Sequence, residues 1–324
     1  MTEAPVNAFQ LENISPKAYE HPADRAATSA LSSIPYLDQV VRKLVELGYE
    51  RALRQTLMGG SVRLGEDQLP RVWEHHHAAF HVLDLEPLPD LYLTQFPIAN
   101  AAAVGAGKPF VIVNSQTIAL LDDGGIRAVL GHEAGHVLSD HVLYRTALLI
   151  LLNATPIGGP LLALPFAGVR LALAEWFRAS ELSCDRAAAL VTRDPLAVCR
   201  TLMVLAGGAA ASELDLDAFL KQAQEFEEPG GPLDWISRRR LEMGVTHPLA
   251  VRRVRELMDW VHAGDYDAIV GGTYIRRGEE PSARDEAASA TDHYSERIKK
   301  SFADVGEQLE SAGKQIGDWL RRSK

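Results

Sequence analysis

Cysteine is scarce in this chain: two residues in 324, Cys184 and Cys199, which form no CxxC pair and supply no disulfide framework. That usage fits a reducing compartment, and the expected location is the cytoplasm, with peripheral membrane attachment as the variant. Basic charge is in deficit as well. With 33 Lys and Arg against 43 Asp and Glu, a formal net charge of −10, there is no basic face to neutralise phosphates, which argues against nucleic acid as a partner. The first ten residues lack a basic start leading into an apolar run, so no secretory signal is expected. An unbroken membrane span is missing too. The charge-free stretch Thr146 to Val169 is long enough to cross a bilayer, but Pro156, Gly158, Gly159, Pro160 and Pro165 divide it into two pieces that are each too short. Its readings are a buried helical hairpin, a cover over a cleft, or a hairpin dipping into a membrane.

What is present is ordinary globular material, 47% hydrophobic and 23% charged, without internal repeats. Residues 1–33 are rich in Ala, Ser, Pro and charge with no sustained period, and read as a poorly ordered leader. The domain is expected over 34–270, with 146–169 as an apolar insert. Helical spacing recurs over Tyr36 to Met58, Asp67 to Leu83, Leu171 to Val191, Pro195 to Ala206, Leu214 to Phe226 and Leu249 to Val261, and Phe110-Val111-Ile112-Val113 is the clearest strand. The fold class is therefore mainly α with a small β-sheet. Residues 271–290 read as a linker, and 291–324 as an amphipathic helix with Phe302, Val305, Leu309, Ile316 and Trp319 on one face. That face suits packing on its own domain, pairing with a second copy, or membrane contact.

One helix carries chemistry. Asp122-Asp123 opens it, and it is expected to run to about Leu152 through His132-Glu133-Ala-Gly-His136. Residues four apart on a helix lie about 40° apart around its axis, so both imidazoles aim at one point with Glu133 beside them. This is a zinc pair with a general base attached. A hydrolytic zinc needs a third protein ligand and an open fourth position. His141 is one candidate; on a continuing helix it lies about 140° from His136 and is turned away. The cluster His75, His76, His77 and His81 has no acid in the HExxH position and reads as a partly exposed helix face. Glu181 is the favoured candidate. It stands one helical turn from Asp185, so one carboxylate can hold metal while the other orients a histidine, and two acids on an Ala- and Leu-rich helix call for a cation.

His132-Glu133-x-x-His136, then Glu181-x-x-x-Asp185, then Thr246-His247-Pro248 with Arg253 six residues past His247, resembles the HtpX and CAAX-prenyl-protease type of zinc metallopeptidase, a gluzincin family. The resemblance covers roughly Leu37 to Val261. It implies a zincin-like fold with the HExxH on a central helix, one zinc held by His132, His136 and Glu181, and Glu133 as catalytic base. By the same resemblance Asp185 supports a histidine ligand, Arg253 forms a structural ion pair, and His247 stabilises the developing oxyanion. The small residues Ala101 to Gly107 correspond to the edge strand on which a substrate backbone pairs. Membrane members of the family carry spanning helices before the HExxH and after it; here only the broken run 146–169 stands in such a place, so a soluble or peripheral member is implied.

The expected activity is a zinc-dependent endopeptidase acting on protein or peptide substrates. The alternative is a binding or adaptor protein, possibly membrane-peripheral, whose metal is structural. Glu133 speaks against the alternative, because a structural zinc has no use for a base.

Overall fold

The computed structural model describes residues 9–32, 41–42, 49–105, 107–149, 167–227 and 248–280. Among these residues, ten helices and four strands carry the labels used below: α1 Pro22–Ser32, α2 Tyr49–Gly60, β1 Val62–Arg63, α3 Pro70–Val82, β2 Asp90–Thr94, β3 Ala101–Val104, β4 Phe110–Asn114, α4 Ser115–Leu120, α5 Asp123–Leu138, α6 Ala167–Thr192, α7 Pro195–Gly207, α8 Leu216–Glu227, α9 Ala250–His262 and α10 Asp265–Val270. A helical segment over 142–149 follows α5. The architecture is mainly α with one small sheet, in agreement with the composition pattern.

The sheet order is β1-β2-β4-β3. β2 and β4 run parallel in the centre, β3 returns antiparallel on β4, and the two-residue β1 closes the other side. β3 is therefore an edge strand, as the resemblance implied for its small residues. The helices pack on the sheet and on one another around a core that includes Val72, Phe80, Leu91, Val111, Ile126, Leu130, Leu190 and Trp260.

α5 begins at a true cap: the Asp122 side chain accepts from Gly125 N at 2.8 Å, satisfying one of the free amides of the first turn. It ends sooner than its hydrophobicity suggests. Asp140 takes φ 54, and the amides of Asp140 and His141 bond back to the Val137 and His136 carbonyls at 3.3 and 2.9 Å, the Schellman pattern. The expected helix to Leu152 is thus two helices, and the turn between them redirects His141.

α5 lies tightly on α6, and glycine permits it. A β-carbon on Gly131 would lie 2.8 Å from Val191 Cβ, and one on Gly135 would lie 2.7 Å from Ala187 Cβ. Backbones can approach only because both positions lack a side chain.

The leader expected over 1–33 does not hold for its described part. Leu11, Ile14 and Tyr19 are buried, Leu11 N bonds Val82 O at 2.9 Å, and α1 packs along α6. The apolar residues among Pro, Ser and charge are too few to show a period, yet Leu11, Ile14 and Tyr19 are seated in the core. The linker expected over 271–290 is also docked in its described part: Ser15 N bonds Ile275 O and Arg277 N bonds Asn13 O, at 3.0 and 2.7 Å. Most of the insert 146–169 and all of the C-terminal helix 291–324 lie outside the described residues. Among those residues no helix is long and apolar enough to cross a membrane.

Candidate metal and catalytic centre

α5 brings His132, Glu133 and His136 to its buried face, and α6, drawn close by the two glycines, brings Glu181 and Asp185. Glu181 Oε2 lies 3.5 Å from His132 Nε2, and Glu181 Oε1 lies 3.2 Å from His136 Nε2. Two ligands on a tetrahedral zinc with bonds near 2.0–2.1 Å sit about 3.3 Å apart. Both contacts lie near that distance, one on each oxygen of the Glu181 carboxylate.

Charge points the same way. Glu133, Glu181 and Asp185 are buried, and two guanidiniums, Arg145 and Arg253, face them. Three acids against two arginines leave one negative charge in a dry setting, which a divalent cation suits. The His132 imidazole responds to that excess. Burial opposes its charge, but Glu181 and Asp185 outweigh burial and push its pKa up to about 9. His136 moves the other way: burial and then Arg145 hold it well below the usual range.

Arg253, from the first turn of α9, grips Asp185 with two bonds, Nε to Oδ2 at 2.7 Å and Nη2 to Oδ1 at 2.6 Å. Its third nitrogen, Nη1, reaches Glu181 Oε2 at 3.2 Å. Asp185 Oδ1 in turn faces His132 Nδ1 at 3.1 Å. Burial works against the Asp185 carboxylate, yet Arg253 and His132 outweigh it and hold its pKa below the ordinary value. Arg253 and Asp185 thus form an ion pair, and Asp185 contacts the His132 ring.

Glu133 shares the buried face of α5 with His132 and His136. Its Oε2 accepts from Ala103 N at 2.6 Å and from Arg145 Nη1 at 2.7 Å. Among the described residues both of its hydrogen bonds fall on that oxygen, and Glu133 lines a cleft. The cleft holds about 380 Å³ and is bordered by Ile98, Asn100, Ala128, Val198 and Leu202.

Sequence reasoning missed three residues here. Arg145 reaches Ala101 O at 3.4 Å as well as Glu133, and the signal for it was a lone basic residue at the head of an apolar run. Cys184 drew no attention because it has no partner cysteine; one ligand atom each from His132, His136 and Cys184 lie within 4.8 Å of one another. Burial first, and then the Glu181 and Asp24 carboxylates, push that thiol far above its ordinary pKa, and its Sγ faces His141 Nδ1 at 3.7 Å. Glu181 also reaches both imidazoles, at 3.5 and 3.2 Å. His141, rejected on the premise of a continuing helix, lies behind His136 with their Nδ1 atoms 3.3 Å apart.

The other predicted residues fall elsewhere. His75 and His76 are buried in α3, away from the centre, with His76 Nε2 on Pro89 O at 2.8 Å. His77 and His81 stack on one another. His247 lies outside the described residues.

Comparison with known proteins bears on the same stretch of chain. The sequence model described as Peptidase family M48 matches residues 65–261. The chain is 35% identical over 260 residues, 78% of its own length and 74% of the relative's, to the plastoglobule-localized metallopeptidase 48, chloroplastic, of Arabidopsis thaliana. It is 29% identical over 194 residues, 53% of its length and 66% of the relative's, to the protease HtpX homolog of Paenarthrobacter aurescens. A shorter match of 100 residues at 29% identity, 30% of this chain and 34% of the relative, links it to the protease HtpX homolog of Tropheryma whipplei. No solved structure matches.

Proposed function

The chain belongs to peptidase family M48 and is a metallopeptidase, and on that footing we propose that it is a zinc-dependent endopeptidase with Glu133 as general base. The observation that carries this reading is the convergence of His132 Nε2 and His136 Nε2 on the two oxygens of Glu181, at 3.5 and 3.2 Å, next to a buried glutamate. In it His132, His136 and Glu181 hold the metal. When bound, zinc supplies Lewis acidity, acidifying water and polarising a carbonyl oxygen.

The protein's own groups do the rest. Ala103 N and Arg145 anchor Glu133 Oε2, which leaves Oε1 to take the proton as water attacks the peptide carbonyl and to pass it to the leaving amine. Asp185, held by Arg253, keeps the His132 ring in one orientation. A substrate strand pairs along β3, the edge of the sheet beside Glu133 and Arg145. His247, six residues before Arg253, is the donor assigned to the oxyanion. Both cysteines are buried and unpaired, which suits the cytoplasm-facing location.

The test is Glu133→Gln. The variant is expected to bind zinc as wild type does and to lose casein and peptide hydrolysis by roughly a hundredfold or more. Comparable turnover in that variant overturns the assignment. Inhibition by 1,10-phenanthroline with recovery on adding zinc, and no recovery with calcium, supports the metal.

A further inference from the structure

The two imidazoles of the HExxH pair are backed differently. His132 Nδ1 faces a carboxylate, Asp185. For His136, the one hydrogen-bond partner of Nδ1 among the described residues is another imidazole nitrogen, His141 Nδ1, at 3.3 Å. On the far side of that ring, His141 Nε2 faces Asp24 Oδ2 at 3.1 Å. Asp24 is fixed in its turn by Ser183 Oγ at 2.6 Å and Thr28 Oγ1 at 3.3 Å. His136, His141, Asp24 and Ser183 are all buried.

We infer that Asp24 and His141 form a positioning relay that sets the tautomer and ring orientation of His136, so that His136 Nε2 presents its lone pair to the metal. The inference rests on the reading of His136 as a metal ligand. With His136 Nε2 on the metal and both rings neutral, one arrangement of protons is self-consistent. A neutral imidazole carries one N–H. A lone pair at His136 Nε2 places the proton on Nδ1, where burial demands an acceptor. His141 Nδ1 accepts only when its own proton is on Nε2, and that N–H then needs an acceptor as well. Asp24 is a carboxylate, which accepts and offers no competing proton. The Cys184 thiol, 3.7 Å from His141 Nδ1, is the weaker donor to that nitrogen.

The surroundings hold both rings still. Trp176 meets His141 edge-on at 5.4 Å and donates from Nε1 to Thr28 Oγ1 at 2.8 Å, while Phe177 stacks on His136 at 6.0 Å. Ser183 stands on α6 between Glu181 and Asp185, so the helix that carries the two acids also fixes the end of the relay. Asp24 comes from α1, outside the stretch 65–261 that matches the family. The N-terminal segment thereby acts on the metal site.

The experiment uses the full chain loaded with zinc. Long-range ¹H–¹⁵N spectra of the histidine rings are expected to place the proton on Nδ1 of His136 and on Nε2 of His141; a proton on His141 Nδ1 overturns the relay. Zinc affinity, read by competition with a chromophoric chelator, is expected to fall roughly 10- to 100-fold in His141→Leu. His141→Asn, whose amide oxygen stands near the place of Nδ1, recovers most of that loss. A packing role predicts the reverse, because Leu fills the space and Asn does not. Wild-type affinity in His141→Leu, or no recovery in His141→Asn, overturns the proposal. If His141→Leu does not fold, the wild-type tautomers decide. His136→Ala separates the two readings: unchanged zinc affinity there removes the ligand assignment itself, whereas lost affinity there with full affinity in His141→Leu removes only the relay.

Discussion

Arg145 donates to Glu133 Oε2 across 2.7 Å with both side chains buried, so each depends on the other for its charge balance. Burial opposes the Arg145 charge, but Glu133 and Glu181 outweigh it and raise its pKa. Replacing it by Leu leaves a buried carboxylate without its cation, a change expected to cost about 3–5 kcal/mol in urea unfolding. Arg145→Lys keeps the charge and loses the fork. In Arg145→Lys, kcat on a peptide substrate is expected to fall roughly tenfold with zinc content unchanged, because Glu133 is less well aimed. A kcat equal to wild type in Arg145→Lys shows that Arg145 does not orient the base.

The α5–α6 contact yields a pair of opposite signs. Gly135→Ala places a methyl 2.7 Å from Ala187 Cβ, which forces the helices apart. The expected cost is about 1–3 kcal/mol, with weaker zinc binding because Glu181 recedes from the histidines. At Gly59, in α2, an added β-carbon would meet nothing within 4 Å, and Gly59→Ala is expected to stabilise by about 0.4–1 kcal/mol. Denaturant midpoints of the two variants, beside chelator competition, give both signs.

Arg253 has two charges to hold. In Arg253→Met the Asp185 carboxylate loses both of its bonds from that side chain, and Glu181 loses a cation. Zinc affinity is expected to fall roughly 10- to 100-fold, as for other groups that support a ligand. Isothermal titration with zinc measures it; an affinity within experimental error of wild type assigns Arg253 to packing alone.

His76 makes stability depend on pH. Burial, against the pull of the Pro89 carbonyl, pushes its pKa down to about 4 from an unfolded value near 6.5. Between those values the unfolded chain binds the extra proton, so stability falls as pH drops through the window and the loss is complete below about pH 4. The contribution is about 2 kcal/mol between pH 7 and pH 5. His76→Leu should therefore show a flatter dependence of the urea midpoint on pH than wild type; parallel curves rule the residue out.

Much of the centre could be read from spacing because helix geometry is local. His132 and His136, or Glu181 and Asp185, share a face through the 3.6-residue repeat alone, and Asp122 announces a helix start by the chemistry of its side chain. The strand read at 110–113 and the helices read at 171–191, 195–206, 214–226 and 249–261 were legible for the same reason, whereas the short α10 was not read. Turns were harder. An Asp in the left-handed region at 140 carries no strong sequence signal, so spacing alone extends α5 too far and turns His141 the wrong way.

The sequence by itself determined that His132, Glu133 and His136 share one stretch of helix and Glu181 and Asp185 another, since each is a short-range pattern whose geometry follows from one helix. Only the tertiary structure decided what stands behind them. Glycines 131 and 135 set the distance between two helices, and no count along the chain reveals an interhelical distance. Asp24, 117 residues before His141, meets it because the N-terminal segment folds onto α6. Arg145 meets Glu133 because a turn reverses the chain. Contacts between groups remote in sequence depend on how the whole core packs, and a buried charge is balanced by whichever partner that packing delivers.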